Sequence, residues 1–284
     1  MELHHAQAAA VDAARAVGTL MRRQLHAPKR AHAVTQHDIK LELDVRSQKL
    51  IEKKLRQAFP RTPLLGEEGI VGEPESERRW VVDPIDGTVN FAYGIPHACV
   101  SIALQEQRAT PNGANYEGYQ TVVGVVYDPF CDELWTATSG KPARLNGRII
   151  RVSQRAKLRE AIVSVGFAKS KESINVMLPY FSQLAHRVRK IRIMGAAALA
   201  LAYVATGRFD AYAERGIRLW DIAAGGLIVE RAGGQFVPSP IPGDYAYRLV
   251  ASNGLLHRQL RASRIGRVTS RGAPPSPAPI RTAR

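Results

Sequence analysis

The chain has 284 residues, 45% of them hydrophobic and 23% charged, a balance that fits a globular protein with a substantial core. A net charge of +15 leaves an anionic partner open, but no zinc-binding spacing, helix-turn-helix pattern or aromatic RNA platform points to specific nucleic-acid recognition. Two cysteines exclude a disulfide framework, the longest apolar stretch (Gly195 to Thr206) is too short to cross a bilayer, and no signal-peptide pattern is read, so a reducing, cytoplasmic setting is expected.

Residues 3–26 space Val11, Ala14, Val17, Leu20 and Met21 helically, and residues 44–58 do so with Val45, Leu50, Ile51 and Leu55; both predict amphipathic helices. Between them, Thr35 to Asp44 alternates Ile39, Leu41 and Leu43 and reads as a strand or extended turn. Trp80-Val81-Val82 reads as a strand that ends where Asp83 begins. Residues 98–104, 121–127 and 133–138 read as antiparallel strands, with Cys99 and Cys131 in strand-like contexts. The connection from Gln105 to Gln120 is long for a hairpin, whereas Asn146-Gly147 predicts a tight turn.

Beyond that turn the pattern predicts strand 161–165, helix 174–188, strand 190–193, helix 196–206, strand 209–213 and helix 220–232, which Gly233-Gly234 stops. Elements of both kinds in both halves imply stacked α and β layers. The last 24 residues hold six arginines and no acid, together with Pro274, Pro275, Pro277 and Pro279. A domain over residues 1–262 and a disordered basic tail over 263–284 are therefore expected.

The densest chemistry lies in Asp83-Pro84-Ile85-Asp86-Gly87-Thr88. Pro84 fixes its own φ and biases Asp83 away from the α region. Gly87 admits a ligand close to the backbone, and the Gly87 and Thr88 amides open a helix-like turn whose N–H groups suit an anion. Two carboxylates beside an anion-binding turn make chemical sense if a divalent cation lies between protein and phosphate. Glu67, on the glycine-bounded turn Gly66-Glu67-Glu68-Gly69, and Asp221, near the N-cap of a small apolar helix, are further candidate ligands. Mg²⁺ takes such oxygen donors, and clustered aspartates repel one another without a cation. Read singly, Asp221 is a helix cap and Glu67 a surface turn residue.

These residues resemble the inositol monophosphatase family, among the Mg²⁺-dependent, lithium-sensitive phosphatases. The resemblance rests on Gly66-Glu67-Glu68, the run Asp83 to Phe91, and Trp220-Asp221-Ile222-Ala223-Ala224-Gly225. It continues through Asn146-Gly147, Gly207, Asp210 to Glu214 and Ala232-Gly233-Gly234, over about residues 5–260. It implies an α+β fold, a layered α-β-α-β-α sandwich of the inositol monophosphatase/fructose-1,6-bisphosphatase type, often a homodimer. The implied activity is hydrolysis of inositol monophosphate or a similar polyol or sugar phosphate by metal-activated water, with two or three Mg²⁺.

Carried over residue by residue, Glu67, Asp83 and the Ile85 carbonyl match a first metal site, and Asp83, Asp86 and Asp221 a second. Gly87 and Thr88 match the phosphate turn, the Thr88 hydroxyl matches the group that orients the attacking water, and Asp44 matches its carboxylate partner. Glu214 matches a contact to substrate hydroxyls, and Gly195-Ala196-Ala197 a loop that approaches the polyol ring. Read alone, Glu214 is a surface ion pair with Arg215 or Arg218, and Gly195-Ala196-Ala197 is the start of a buried helix. Ala196 stands where family members often carry Ser or Thr, a departure that touches substrate choice rather than metal ligation. Histidinol phosphate, fructose 1,6-bisphosphate or 3′-phosphoadenosine phosphate are alternative substrates. Association with RNA or a transcription complex through the basic surface is an alternative role, and no membrane partner is expected.

Overall fold

The structure is a computed structural model that describes residues 3–34, 39–108, 113–168 and 170–262. Its first half runs α1 (Leu3–Gln24), β1 (Ala31–Val34), β2 (Ile39–Leu41), α2 (Glu42–Ala58), β3 (Leu64–Gly66), β4 (Gly69–Val71), β5 (Arg78–Asp86), α3 (Thr88–Ala92), β6 (Cys99–Gln107), β7 (Tyr119–Asp128), β8 (Glu133–Thr138), β9 (Arg144–Leu145) and β10 (Arg148–Ile149). The second half runs β11 (Ile162–Val165), α4 (Lys171–Ala185), β12 (Lys190–Arg192), α5 (Ala197–Ala205), β13 (Ala211–Arg218), α6 (Leu219–Arg231), β14 (Gln235–Pro240), β15 (Ala246–Ser252) and α7 (His257–Ala262).

Two sheets organise the molecule. The larger has the order β10-β9-β8-β7-β6-β5-β3-β4 and is antiparallel except where β3 runs parallel to β5. The smaller has the order β12-β11-β13-β15-β14, with β11 parallel to both β12 and β13. α1 and α2 cover the outer face of the large sheet, where Val17, Met21, Ile51 and Leu55 meet Trp80, Val82, Val100 and Ile102. α5 and α6 fill the space between the sheets, with Leu199, Leu201, Ile222 and Ile228 packed among Val81, Ala103, Val126, Tyr212 and Leu249. α4 and α7 close the far face through Met177, Tyr180, Leu184, Leu256 and Leu260. The result is the expected α-β-α-β-α layering. Because β7 has helices on both faces, all ten of its residues are buried, and it reads as a continuous apolar run rather than an alternating one.

Several expectations need correction. β5 does not end at Val82 but carries Asp83 and Asp86 on its last turn of ladder, with a register shift between them. Pro84 supplies no N–H, so the ladder is interrupted there and the strand resumes as a bulge. Glu67-Glu68 closes a hairpin whose strands β3 and β4 were read only as a turn. Cys131 lies exposed in the turn between β7 and β8 rather than in a strand. α4 starts at Lys171, three residues earlier than its apolar period suggested, because Ser170 accepts the Ser173 N–H as N-cap. β13 runs on to Arg218. β14 escaped notice because Pro238 and Pro240 argue against a strand; at the sheet edge they are tolerated.

Asn146 and Gly147, at φ 47° and 79°, form the expected tight turn between β9 and β10. The expectations for residues 35–38, for Pro111-Asn112 within the long connection, and for the tail 263–284 lie outside the described residues.

Candidate active site

The four acidic candidates come from three chain segments that the fold holds together. Glu67 sits at the tip of the β3–β4 hairpin, and its N–H donates to the Val82 carbonyl at 3.2 Å. Gln48 of α2 braces the same tip, accepting the Glu68 N–H and donating to the Gly69 carbonyl, each at 3.0 Å. Asp83 and Asp86 occupy the bulged end of β5. Asp221 lies in the first turn of α6, where its Oδ2 accepts the Arg218 N–H at 2.9 Å. Ser101, the register partner of Asp83, donates to the Trp220 carbonyl at 3.1 Å and so holds the start of α6 against the large sheet.

Electrostatics shows that the four face one another. Burial pushes the Asp83 carboxyl well above the usual carboxylate range, and Glu67, Asp86 and Asp221 raise it further. Asp86 is pushed up to about 6, mainly by burial, against the lowering effect of the N–H groups that it accepts. Ionised together in a buried setting, these groups are costly without a cation. All four carboxylates line one cleft of about 900 Å³. Their donor set, four carboxylates and the Ile85 carbonyl, is all oxygen and fits a hard divalent cation. The side chains are near rather than closed up: among the described residues, no three His, Cys, Asp or Glu side chains stand as a ready metal cage.

Asp86 also does structural work. Its Oδ1 accepts the Ala197 N–H at 3.1 Å and its Oδ2 the Ala198 N–H at 2.8 Å. Ala196, the N-cap residue of α5, offers no side-chain cap, so a carboxylate from the other sheet caps that helix. The start of α5 is therefore capped without a hydroxyl at residue 196.

Gly87 and Thr88 form the expected glycine turn into a short helix. Gly87 sits at φ 91° and a Cβ there would lie 2.9 Å from the His97 carbonyl, so both conformation and space require glycine. The first-turn amides of α3 have no intrahelical acceptor. The Thr88 hydroxyl donates to the Ile85 carbonyl at 2.8 Å. Asp44 is buried, its Oδ2 accepts the Leu41 N–H at 2.8 Å, and it does not line the cleft.

At the far end of the cleft, Gly195, Ala196, Ala197 and Glu214 are lining residues as expected. Glu214 is not the surface partner of Arg215 or Arg218. It accepts a hydrogen bond from the Tyr212 hydroxyl, while Arg215 pairs with Glu172 and Arg218 donates to the Asp244 carbonyl. A Cβ on Gly166 would lie 1.7 Å from Glu214 Oε2, so Glu214 occupies room that only glycine leaves.

Two residues were not singled out from sequence. Asn90 Nδ2 donates to the His97 carbonyl at 2.9 Å and to the Met194 carbonyl at 2.8 Å, joining the phosphate turn to the loop before α5. Tyr212 orients Glu214, and its i, i+2 spacing on a strand is the signal that could have revealed it.

Among the described residues no helix is long and apolar enough to cross a membrane. Residues 2–264 match the inositol monophosphatase family. The chain is 41% identical to the Nus factor SuhB of Xylella fastidiosa over 228 residues, covering 79% of this chain and 78% of that protein. It is 36% identical to inositol monophosphatase 1 of Solanum lycopersicum over 251 residues, covering 86% and 88%. The inositol monophosphatase of Anabaena superposes with a TM-score of 0.78 at 33% identity, covering 94% of this chain and 97% of that one. The chain therefore belongs to the inositol monophosphatase family and is a phosphoric monoester hydrolase.

Proposed function

We propose that the chain hydrolyses inositol monophosphate or a similar polyol or sugar phosphate with Mg²⁺ bound at its acidic cluster. The observation that carries this reading is that Glu67, Asp83, Asp86 and Asp221, from three separate segments, line one cleft together with Gly87 and Thr88. Glu67, Asp83 and the Ile85 carbonyl would hold one ion, and Asp83, Asp86 and Asp221 a second. Bound there, Mg²⁺ would supply positive charge to the phosphoryl oxygens and acidity to a water.

The chain's own residues do the rest. The amides of Gly87 and Thr88 bind the phosphoryl oxygens. The Thr88 hydrogen is committed to Ile85, so its oxygen faces a water as an acceptor and orients that water by one of its O–H bonds. Asp44, buried in the first turn of α2 with its Oδ2 on the Leu41 N–H, is the carboxylate that the family resemblance pairs with Thr88. Glu214, aimed by Tyr212, accepts from substrate hydroxyls, and the Gly195-Ala196-Ala197 backbone flanks the polyol. A phosphate-release screen over inositol, sugar, histidinol and nucleotide phosphates, with Mg²⁺ and with added Li⁺, tests the reading; release from none of them would overturn it.

A second reading is association with RNA or a transcription complex, supported by the relative named a Nus factor and by the net charge of +15. A salt-sensitive RNA complex supports it, and equal affinity after deletion of residues 263–284 removes the tail from that role.

A further inference from the structure

A second cleft, of about 260 Å³, opens toward the start of β5 and shares no lining residue with the cleft of the acidic end. Its apolar wall is Leu55 of α2, Leu64 of β3, Val71 of β4, and Pro60 and Pro63 of the connection between α2 and β3. Proline fixes its own backbone, so much of this wall is rigid before any ligand arrives. Trp80 completes the lining and is tied to the same connection, its backbone N–H donating to the Pro63 carbonyl at 2.9 Å. The volume lies just below the range of pockets for drug-sized ligands, so an occupant is small.

The polar groups of this cleft are left unmatched. The Trp80 side chain is only 1% exposed, and among the described residues its Nε1–H meets no acceptor. A buried donor in that state is costly and rare. Four charged residues also line the cleft, Glu52, Arg56, Arg61 and Glu73. Glu52 and Arg56 close on each other at 3.2 Å, one helical turn apart. Arg61 and Glu73 are exposed, and among the described residues neither has an ion-pair or side-chain hydrogen-bond partner. The segments that carry them adjoin, since a Cβ on Gly72 would lie 3.1 Å from Pro63 Cβ. One free charge of each sign therefore stands beside an apolar wall and a buried donor. A simple anion would meet Glu73 as a like charge, and a simple cation would meet Arg61. A zwitterion has a partner for both.

We propose that this cleft binds a free α-amino acid with an apolar side chain. Arg61 and the Trp80 indole N–H donate to its carboxylate, its ammonium donates to Glu73, and its side chain lies on the wall of Leu55, Leu64 and the two prolines. The site stands apart from the acidic end and does not depend on what that end hydrolyses.

Calorimetric titration of the full chain with Mg²⁺ tests it, using L-leucine, 4-methylpentanoate, which lacks the ammonium, and 3-methylbutylamine, which lacks the carboxylate. L-Leucine should saturate one site per chain with a Kd of about 1 mM or lower. The amine should bind about tenfold or more weakly, having lost a charged acceptor of two donors. The carboxylate should bind about threefold more weakly, having lost one exposed ion pair. Trp80→Phe keeps a ring and removes the N–H, and should raise the leucine Kd about tenfold. Arg61→Gln and Glu73→Gln alter exposed side chains and should each raise it about threefold. Glu73→Gln should also tighten 4-methylpentanoate, because a like charge is gone, and a general loss of structure would not produce that reversal. Absence of saturable leucine binding, equal binding of all three compounds, or a leucine Kd unmoved by both Arg61→Gln and Glu73→Gln would overturn the site. A leucine Kd that instead follows Asp83→Asn would place the ligand at the acidic end and overturn it as well.

Discussion

At the acidic end of the cleft three of the four carboxylates accept backbone N–H groups, Asp83 from Ile85, Asp86 from Ala197 and Ala198, and Asp221 from Arg218, with the Cys99 thiol as a further donor to Asp86. At the far end Glu214 takes its hydrogen bond from another side chain, Tyr212. Backbone donors move only when a whole element moves, whereas a side-chain partner is changed by one substitution. On the proposed reading, the end that would carry the chemistry is therefore built to resist drift, and the end that would recognise the substrate is built so that its preference can change without disturbing the fold.

The largest expected effect breaks the acidic end. Asp83→Asn should lower kcat on the order of 10³-fold or more, because on the proposed reading it would remove a ligand shared by two ions and with it transition-state charge stabilisation. The same change should raise the melting temperature of the metal-free protein by about 2–4 °C per kcal/mol gained, since Asp83 is buried among like charges. Calorimetry with and without chelator separates the two effects. Mg²⁺ at a hundredfold excess over its Kd should stabilise the unaltered protein by about 2.7 kcal/mol and stabilise Asp83→Asn far less. A variant that loses activity and is also less stable without metal would show that Asp83 serves the fold rather than the ion.

The next effect tests orientation at the same end. Thr88→Val keeps the shape but leaves the Ile85 carbonyl without its 2.8 Å donor and offers a water no acceptor. Activity should fall by about 10²-fold, in the range of a lost acid–base or orienting group, while Thr88→Ser should retain most of it. Single-turnover rates check this, because they are insensitive to product release.

The two ends also differ in how legible they were in the sequence. The string Asp83 to Thr88 announced carboxylates beside an anion turn, and the structure seats both on a bulge that Pro84 explains. The helices α1, α2, α5 and α6 were readable because each buries an apolar face or is apolar throughout. What stayed hidden depended on distant partners. No local pattern says that Asp86 caps α5 from the other sheet, or that Asn90 bonds a carbonyl 104 residues away. β14 was obscured by prolines that only an edge position accommodates. Glu214 looked like half of a surface ion pair because Arg215 and Arg218 are near it in sequence, whereas alternation along β13 sends Arg215 to the opposite face and Arg218 donates to the Asp244 carbonyl.

Asn90 is where the two ends are joined, so its loss should be smaller than that of Asp83 but visible at both. Asn90→Asp retains the shape and turns a donor of two bonds into an acceptor facing the carbonyls of His97 and Met194. Unsatisfied or repelled buried polar groups of this kind cost about 1–3 kcal/mol each, which denaturant unfolding at constant m-value would report. The KM for polyol phosphates should rise more than the KM for p-nitrophenyl phosphate, because on the proposed reading the loop before α5 would flank the polyol and not the phosphate. Equal rises for both substrates would mean that Asn90 supports only the phosphate turn.

The smallest effect belongs to the far end. Glu214→Gln keeps an oxygen for substrate hydroxyls but replaces the second oxygen with a donor, and the Tyr212 hydroxyl then bonds a neutral acceptor instead of a charged one. The change in a charge-assisted hydrogen bond is about 1 kcal/mol, so KM for a polyol phosphate should rise about fivefold with kcat nearly unchanged. Asp83→Asn acts in the opposite pattern, on kcat. The contrast follows from the proposed roles, since the acidic end would act on charge that develops at the phosphoryl group, whereas a contact to substrate hydroxyls would bind ground and transition states alike. A fall in kcat for Glu214→Gln as large as that for Thr88→Val would place Glu214 among the groups that act on the phosphoryl centre and erase the division between the ends.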